Sequence, residues 1–211
     1  IFYALALIAT APPADKTYTN QKQAAAILNR ILPKQPDHPG IAHYLIHSYD
    51  SPQLAILALP AARTYAKIAP ASPHALHMPS HIFTRLGLWD ESIQSNLASA
   101  AAAKSQMAKT LPAATSQDQL HAMDYLAYGY LQTCQDEKAK RIVDEAASVS
   151  RVDQQVFQAA YAFSAIPARY ALERRRWSAA AALELRPVWF PWMQFRYAEA
   201  ITHFARALGS A

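Results

Sequence analysis

The stretches "PDHPGIAHYLIHSYD" (residues 36–50) and "PASPHALHMPSHIFT" (residues 70–84) carry one pattern twice, 34 residues apart. Pro36 aligns with Pro70, Pro39 with Pro73, His43 with His77, His47 with His81, and the aromatic Tyr49 with Phe83. A pattern that returns at a fixed period of this length marks a repeat architecture. Each unit is one supersecondary element that buries its apolar side only by stacking on its neighbour. Pro39 and Pro73 suit the first position of a helix, where the N–H that proline lacks has no intrahelical acceptor.

The bulk numbers agree with a helical chain. It has 211 residues, enough for one domain or one continuous solenoid, and we take residues 1–211 as a single repeat domain. Hydrophobic residues make up 52% with alanine foremost, and there are only four glycines, which favours helix almost throughout. The net charge of +5 permits an acidic partner without demanding nucleic acid. The single cysteine, Cys134, excludes an internal disulfide and a thiolate-rich metal site. It is expected as a buried structural thiol within an apolar helix. The opening "IFYALALIATAPPA" is apolar like a secretory leader but has neither an initial Met nor a basic region. It is read as a packed helix, and the chain as a piece of a longer protein. No apolar run is long enough to span a membrane.

Thirty-four residues is the period of the tetratricopeptide repeat (TPR), a helix-turn-helix unit. Counting Pro39 or Pro73 as repeat position 1 puts Leu45 at position 7, Tyr49 at position 11 and Pro70 at the closing position 32. The tryptophan of position 4 is replaced by Ala42 and Leu76. The pattern continues at wider spacing. "LGLWDES" (86–92) matches "TCQDEKA" (133–139), and "MPSHIFTRLGLW" (78–89) matches "IPARYALERRRW" (166–177) at an offset of 88, read as two units of 44. First helices are expected near 1–10, 39–50, 74–87, 118–133, 156–174 and 193–207. Second helices are expected near 18–32, 53–69, 90–109, 136–150 and 177–185. "SQDQ" (116–119) reads as a helix cap. "RPVWFPW" (186–192) reads as an aromatic connector, either a docking patch or a lid over the last core.

The phrases "DKTYTNQKQAAAIL", "QPDHPGIAHYLIHSYDSP", "AARTYAKIAPASPHALHMPSHIFTRLGLWDESIQSN" and "HFARALG" resemble a bacterial family of TPR proteins. The resemblance covers most of the first half and the extreme C-terminus. It implies the TPR fold. It implies no reaction, since members mostly lack an assigned activity. Members often carry an export signal, which allows a periplasmic or secreted location. It also implies that positions 2, 5, 9 and 12 of each first helix face a concave groove, which places His74, His43, His77, His47, His81 and Asp50 there.

Helix periodicity supports part of that placement. His43 and His47 are four residues apart, as are His77 and His81, so each pair shares a helix face, and His74 lies on the face of His77. Two such pairs on neighbouring helices have the spacing of a zinc site or a site for another divalent transition metal, with His43, His47, His77 and His81 as ligands. Asp50 is placed to be a ligand or to hold one. Neither pair has a Glu beside its first His, as a HExxH hydrolase needs, and no spacing assembles a catalytic triad. The competing reading is structural: imidazoles that bond backbone carbonyls and hold helices together. His38 reads as a cap or turn residue, and His121 and His203 as isolated core or surface residues. Pro79 and Pro167 are expected to kink their helices. Arg174, Arg175 and Arg176, with Arg169 and Arg186 nearby, read as a solvated helix end.

The sequence therefore points to an all-α, right-handed solenoid of antiparallel helix pairs. Its expected function is a scaffold that binds a peptide or protein segment in a groove lined by His43, His47, Asp50, His74, His77, His81 and Arg85. The imidazoles are expected to charge near pH 6 and make the affinity pH-dependent. The alternative is a metal-binding protein built on the same histidines. No cofactor other than that possible metal is expected, and no nucleic acid. Self-association through exposed terminal helices is the third expectation.

Overall fold

The computed structural model describes residues 1–211. It contains twelve α-helices and two short 3₁₀ turns, and the one strand-like feature is a parallel bridge between Thr115 and Val152. The chain is all-α, as its composition requires. None of the helices is long and apolar enough to cross a membrane. The backbone falls into two compact units, Ile1–Ser95 and Asn96–Ala211.

The first unit holds α1 (Phe2–Ala9), α2 (Thr19–Ile31), α3 (Pro39–Tyr49), α4 (Ala55–Ile68), α5 (Pro73–His77), α6 (Pro79–Arg85) and the start of α7 (Trp89–Thr110). Helices α1 and α2 pair, as do α3 and α4, and α2 packs on α3 while α4 packs on α6. The first helices α1, α3 and α6 also touch in sequence. Each histidine-bearing helix starts as its sequence dictates. Pro39 and Pro73 occupy the first turns, His38 Nδ1 accepts from the Gly40 N–H, and Ser72 Oγ accepts from the Ala75 N–H. The apolar side of α3 is split between two cores. Ile41 and Leu45 pack with Leu28, Ala24 and Ala25, whereas Ile46 packs with Ala55, Ala58, Ala62, Met78 and Ile82. Each of these large side chains contributes roughly 1.5–3 kcal/mol on burial, and that packing turns α3 and α6 so that their histidines share the remaining face.

Helices α5 and α6 are one first helix with a defect. Met78 between them keeps helical angles (φ −51°, ψ −37°). Pro79 supplies no N–H for the Ala75 carbonyl, and His81 N–H bonds the Met78 carbonyl at 3.2 Å, a tighter turn. Pro167 lies inside an unbroken α10, and Pro60 inside α4 is a further interior proline, outside the repeat pattern.

The second unit contains α8 (Gln117–Gln132), α9 (Asp136–Ser148), α10 (Phe157–Glu173), α11 (Trp177–Ala181) and α12 (Arg196–Ser210). Helix α8 pairs with α9, α10 with α11, and α10 lies between α8 and α12. Ser116 caps α8 by accepting from the Gln119 N–H at 3.1 Å, as "SQDQ" predicts. Gln119 sends its own amide to Glu145 instead of back to the cap. Phe190 and Trp192 are buried, and Phe190 lies 5.4 Å from both Phe163 and Phe195, so "RPVWFPW" covers the last core. Two expected helices change: α11 is shorter and stops at Ala181, and α12 is shifted to Arg196–Ser210 because Trp192–Gln194 form a 3₁₀ turn.

Three joints between a first helix and its partner are built alike. Gly87 (φ 71°), Cys134 (φ 56°) and Arg175 (φ 51°) are left-handed. The following N–H groups of Leu88, Gln135 and Arg176 reach back to the Phe83, Tyr130 and Ala171 carbonyls at 2.9, 2.8 and 2.8 Å. This is the Schellman way of satisfying the last carbonyls of a helix. The joints lie 47 residues (Gly87 to Cys134) and 41 residues (Cys134 to Arg175) apart. The 88-residue offset is thus unequal and not two units of 44. Cys134 is an exposed turn residue, not the buried helical thiol expected, because the turn and not the helix interior claims its position.

Candidate functional site

Five imidazoles gather on α3, α5 and α6. On α3, His43 Nε2 and His47 Nε2 are 3.0 Å apart. His74, near the start of α5, brings its Nε2 to 3.1 Å from the same His43 nitrogen. His77 and His81 meet across the Pro79 defect with their Nε2 atoms 3.0 Å apart. The two groups adjoin, since the His47 and His81 ring centroids are 6.2 Å apart. The His43 ring stacks near Tyr44 (5.1 Å, 23°) and Tyr65 (5.6 Å, 15°), which holds its plane.

Asp50 closes one end of the row. The His81 Nδ1–H donates to one carboxylate oxygen at 2.9 Å and the Arg85 Nε–H to the other at 2.9 Å. Burial alone would push this carboxyl up, but the bonds from His81 and Arg85 outweigh it and hold it at about 2. Burial, and then the neighbouring His47, His74 and His81, push His43 down to about 3. Burial and His81, against an opposing pull from Asp50, bring His47 to about 4. At neutral pH His43 and His47 are therefore neutral and Asp50 is ionised. The expected charging near pH 6 does not apply to His43 and His47, because burying two rings side by side makes a proton costly there.

The structure brings together every residue predicted for the groove, with two changes of role. His77 is only 2% exposed, so it lies behind the face, with its Nε2 against that of His81. His74, exposed, is the partner of His43 and His47, where the spacing argument puts His77 and His81. His43, His47 and His74 each offer a ligating atom within 4.8 Å of the others. Of the other histidines, His38 caps α3, His121 meets Tyr125 edge-on, and His203 sits 3.5 Å from Glu199. An apolar cleft of about 420 Å³ in this unit, between Leu32, Ala42, Leu45, Pro60 and Ile68, includes none of the histidines.

The second unit carries a polar seam that sequence reasoning misses. Asp124 on α8, 4% exposed, receives Arg169 Nη1 from α10 at 2.6 Å. The Arg169 guanidinium also covers the Tyr128 ring at 4.8 Å, and Gln132 donates to Glu173 at 2.9 Å. Burial pushes the Asp124 carboxyl up while the guanidinium pulls it the other way. One signal points to the seam: Arg169 stands 88 residues after His81, at the same place in its repeat. Proximity in sequence instead groups it with Arg174–Arg176. Those do form a helix end, with Arg174 on Asp136 at 2.7 Å and Arg176 over Tyr170 at 5.4 Å.

No family model and no curated protein matches this chain. Two solved structures do. A kinesin light chain-like protein of Podosopora anserina with nearly identical TPR-like repeats aligns at a TM-score of 0.54 and 16% identity, covering 90% of this chain and 87% of that one. A single-substitution variant of that protein aligns at 0.56 and 16%, covering 90% and 86%. At this identity the likeness establishes the fold: an all-α helical-repeat solenoid of TPR-like pairs.

Proposed function

We propose that this chain is a TPR-type scaffold that holds a peptide or protein segment along the histidine face of its N-terminal unit. The observation that carries the reading is the row of His43, His47, Asp50, His74, His81 and Arg85, set on successive first helices above a closed apolar core. His47, His74 and Arg85 are exposed, and His43, Asp50 and His81 are half-buried. Neutral imidazoles both donate and accept hydrogen bonds, which suits an extended backbone laid across the row. The phrases that resemble a bacterial TPR family are the ones that build this face. The TPR-like fold of the structural neighbours supports the same use.

Selection of a random peptide library on the immobilised chain tests the proposal. Enriched peptides are expected to bind in calorimetry and to lose about tenfold in affinity, about 1.4 kcal/mol, in His47→Ala and in Arg85→Ala. A library that yields no peptide sensitive to these two substitutions overturns it.

A further inference from the structure

We propose that His43, His47 and His74 bind one divalent transition-metal ion of the zinc, nickel or copper class. The inference stands on the geometry of these three rings and goes beyond the scaffold reading.

The first argument is distance. Imidazole nitrogens held about 2.0–2.1 Å from a tetrahedral zinc lie roughly 3.3 Å from one another. His43 Nε2 is 3.0 Å from His47 Nε2 and 3.1 Å from His74 Nε2. All three ligating atoms lie within 4.8 Å.

The second argument is valence. A neutral imidazole nitrogen carries either one proton or one in-plane lone pair. His43 Nε2 therefore makes one N–H···N bond, yet two ring nitrogens approach it at hydrogen-bond distance. The second contact can then only share the same proton or lone pair in a weaker three-centre bond, or set like against like. A cation resolves this by accepting a lone pair from each of the three rings.

The surroundings suit the task. Tyr44 and Tyr65 fix the His43 ring, and the Ser72 cap fixes the start of the helix that presents His74. His47 and His74 are exposed, which leaves an approach from solvent and a fourth position for water or an incoming ligand. Three imidazole nitrogens with no thiolate and no carboxylate select zinc, nickel or copper over calcium or magnesium. Asp50 is not among the donors; it braces His81 at the edge of the cluster. The ion would join α3 to α5, one repeat to the next.

The test uses the full chain stripped with a chelator and titrated with zinc(II) by calorimetry, and with cobalt(II) for its visible d–d bands. The expected result is one ion per chain, tetrahedral cobalt bands, and affinity about 100-fold weaker or worse in both His47→Gln and His74→Gln. His203→Gln, outside the cluster, is expected to bind like the parent. Circular-dichroism melts of the metal-free variants establish that they are folded. The two exposed positions provide independent variants if one fails. Zinc affinity no better than millimolar, or affinity unchanged by both substitutions, overturns the site. Failure of peptide selection leaves this result untouched, and failure to bind metal leaves the scaffold reading standing.

Discussion

At the scale of single residues, the two carboxylates Asp50 and Asp124 show how burial and partners compete. Asp50 has an ordinary value of 3.8 and sits at about 2 in the fold, because the bonds from His81 and Arg85 overcome its burial. Its pKa is depressed on folding, so its stabilisation is complete above about pH 4 and is lost as the pH falls toward about 2. The difference is worth about 2 kcal/mol. Urea unfolding between pH 2 and 6 is expected to show that loss in the parent and not in Asp50→Asn; parallel pH profiles would refute it. Asp124 is the harsher case. Removing it in Asp124→Ala leaves the Arg169 guanidinium with only its longer 4.0 Å approach to Glu173 as an ion pair, at a cost of roughly 3 kcal/mol. The double variant Asp124→Leu/Arg169→Met is expected to recover much of that stability in denaturant unfolding, because it removes both charges together.

At the scale of elements, close approach and turn geometry decide. A Cβ on Gly209 of α12 would lie 2.4 Å from Ala181 N and 2.5 Å from the Trp177 carbonyl oxygen, both backbone atoms of α11. Backbone cannot swing aside as a side chain does, so Gly209→Ala is expected to cost roughly 1–3 kcal/mol in thermal or denaturant unfolding. At Gly40 the nearest atom is the His38 ring, a movable side chain, so Gly40→Ala is expected to cost less. The three left-handed joints make the opposite prediction. Arg175 adopts φ 51° where Gly87 occupies the matching turn. Arg175→Gly is expected to be neutral or stabilising by up to about 1 kcal/mol, whereas Gly87→Ala is expected to destabilise by about 1 kcal/mol. Differential scanning calorimetry of the two variants distinguishes them.

At the scale of the whole molecule, the helix pattern and the pairing of each first helix with its second were readable, whereas the side chains that meet between helices were not. Every first helix and every second helix expected from the repeat is present, and the boundaries of α3, α4 and α8 fall within two residues of those expected. Binding at a site that joins two repeats would register globally: zinc at 100 times its dissociation constant is expected to raise unfolding free energy by about 2.7 kcal/mol, an increase that chelator removes. Exposed apolar residues on terminal helices, Phe2 and Tyr3 on α1 and Tyr197, Phe204 and Leu208 on α12, mark where sedimentation at rising concentration would detect the self-association that the sequence suggests.

The sequence by itself determined the helices, their caps, the 34-residue repeat and the shared face of each histidine pair, because these follow from local periodicity and from what proline and serine do to a few neighbouring backbone groups. Tertiary structure decided that His74 joins His43 and His47, that His77 is walled in, that Asp124 meets Arg169, and that Cys134 turns a corner in solvent. Those outcomes depend on how far one helix is rotated and slid against the next. That rotation is set by apolar side chains such as Ile46, Met78 and Ile82 filling a common core, a sum over many weak contacts that no local spacing encodes.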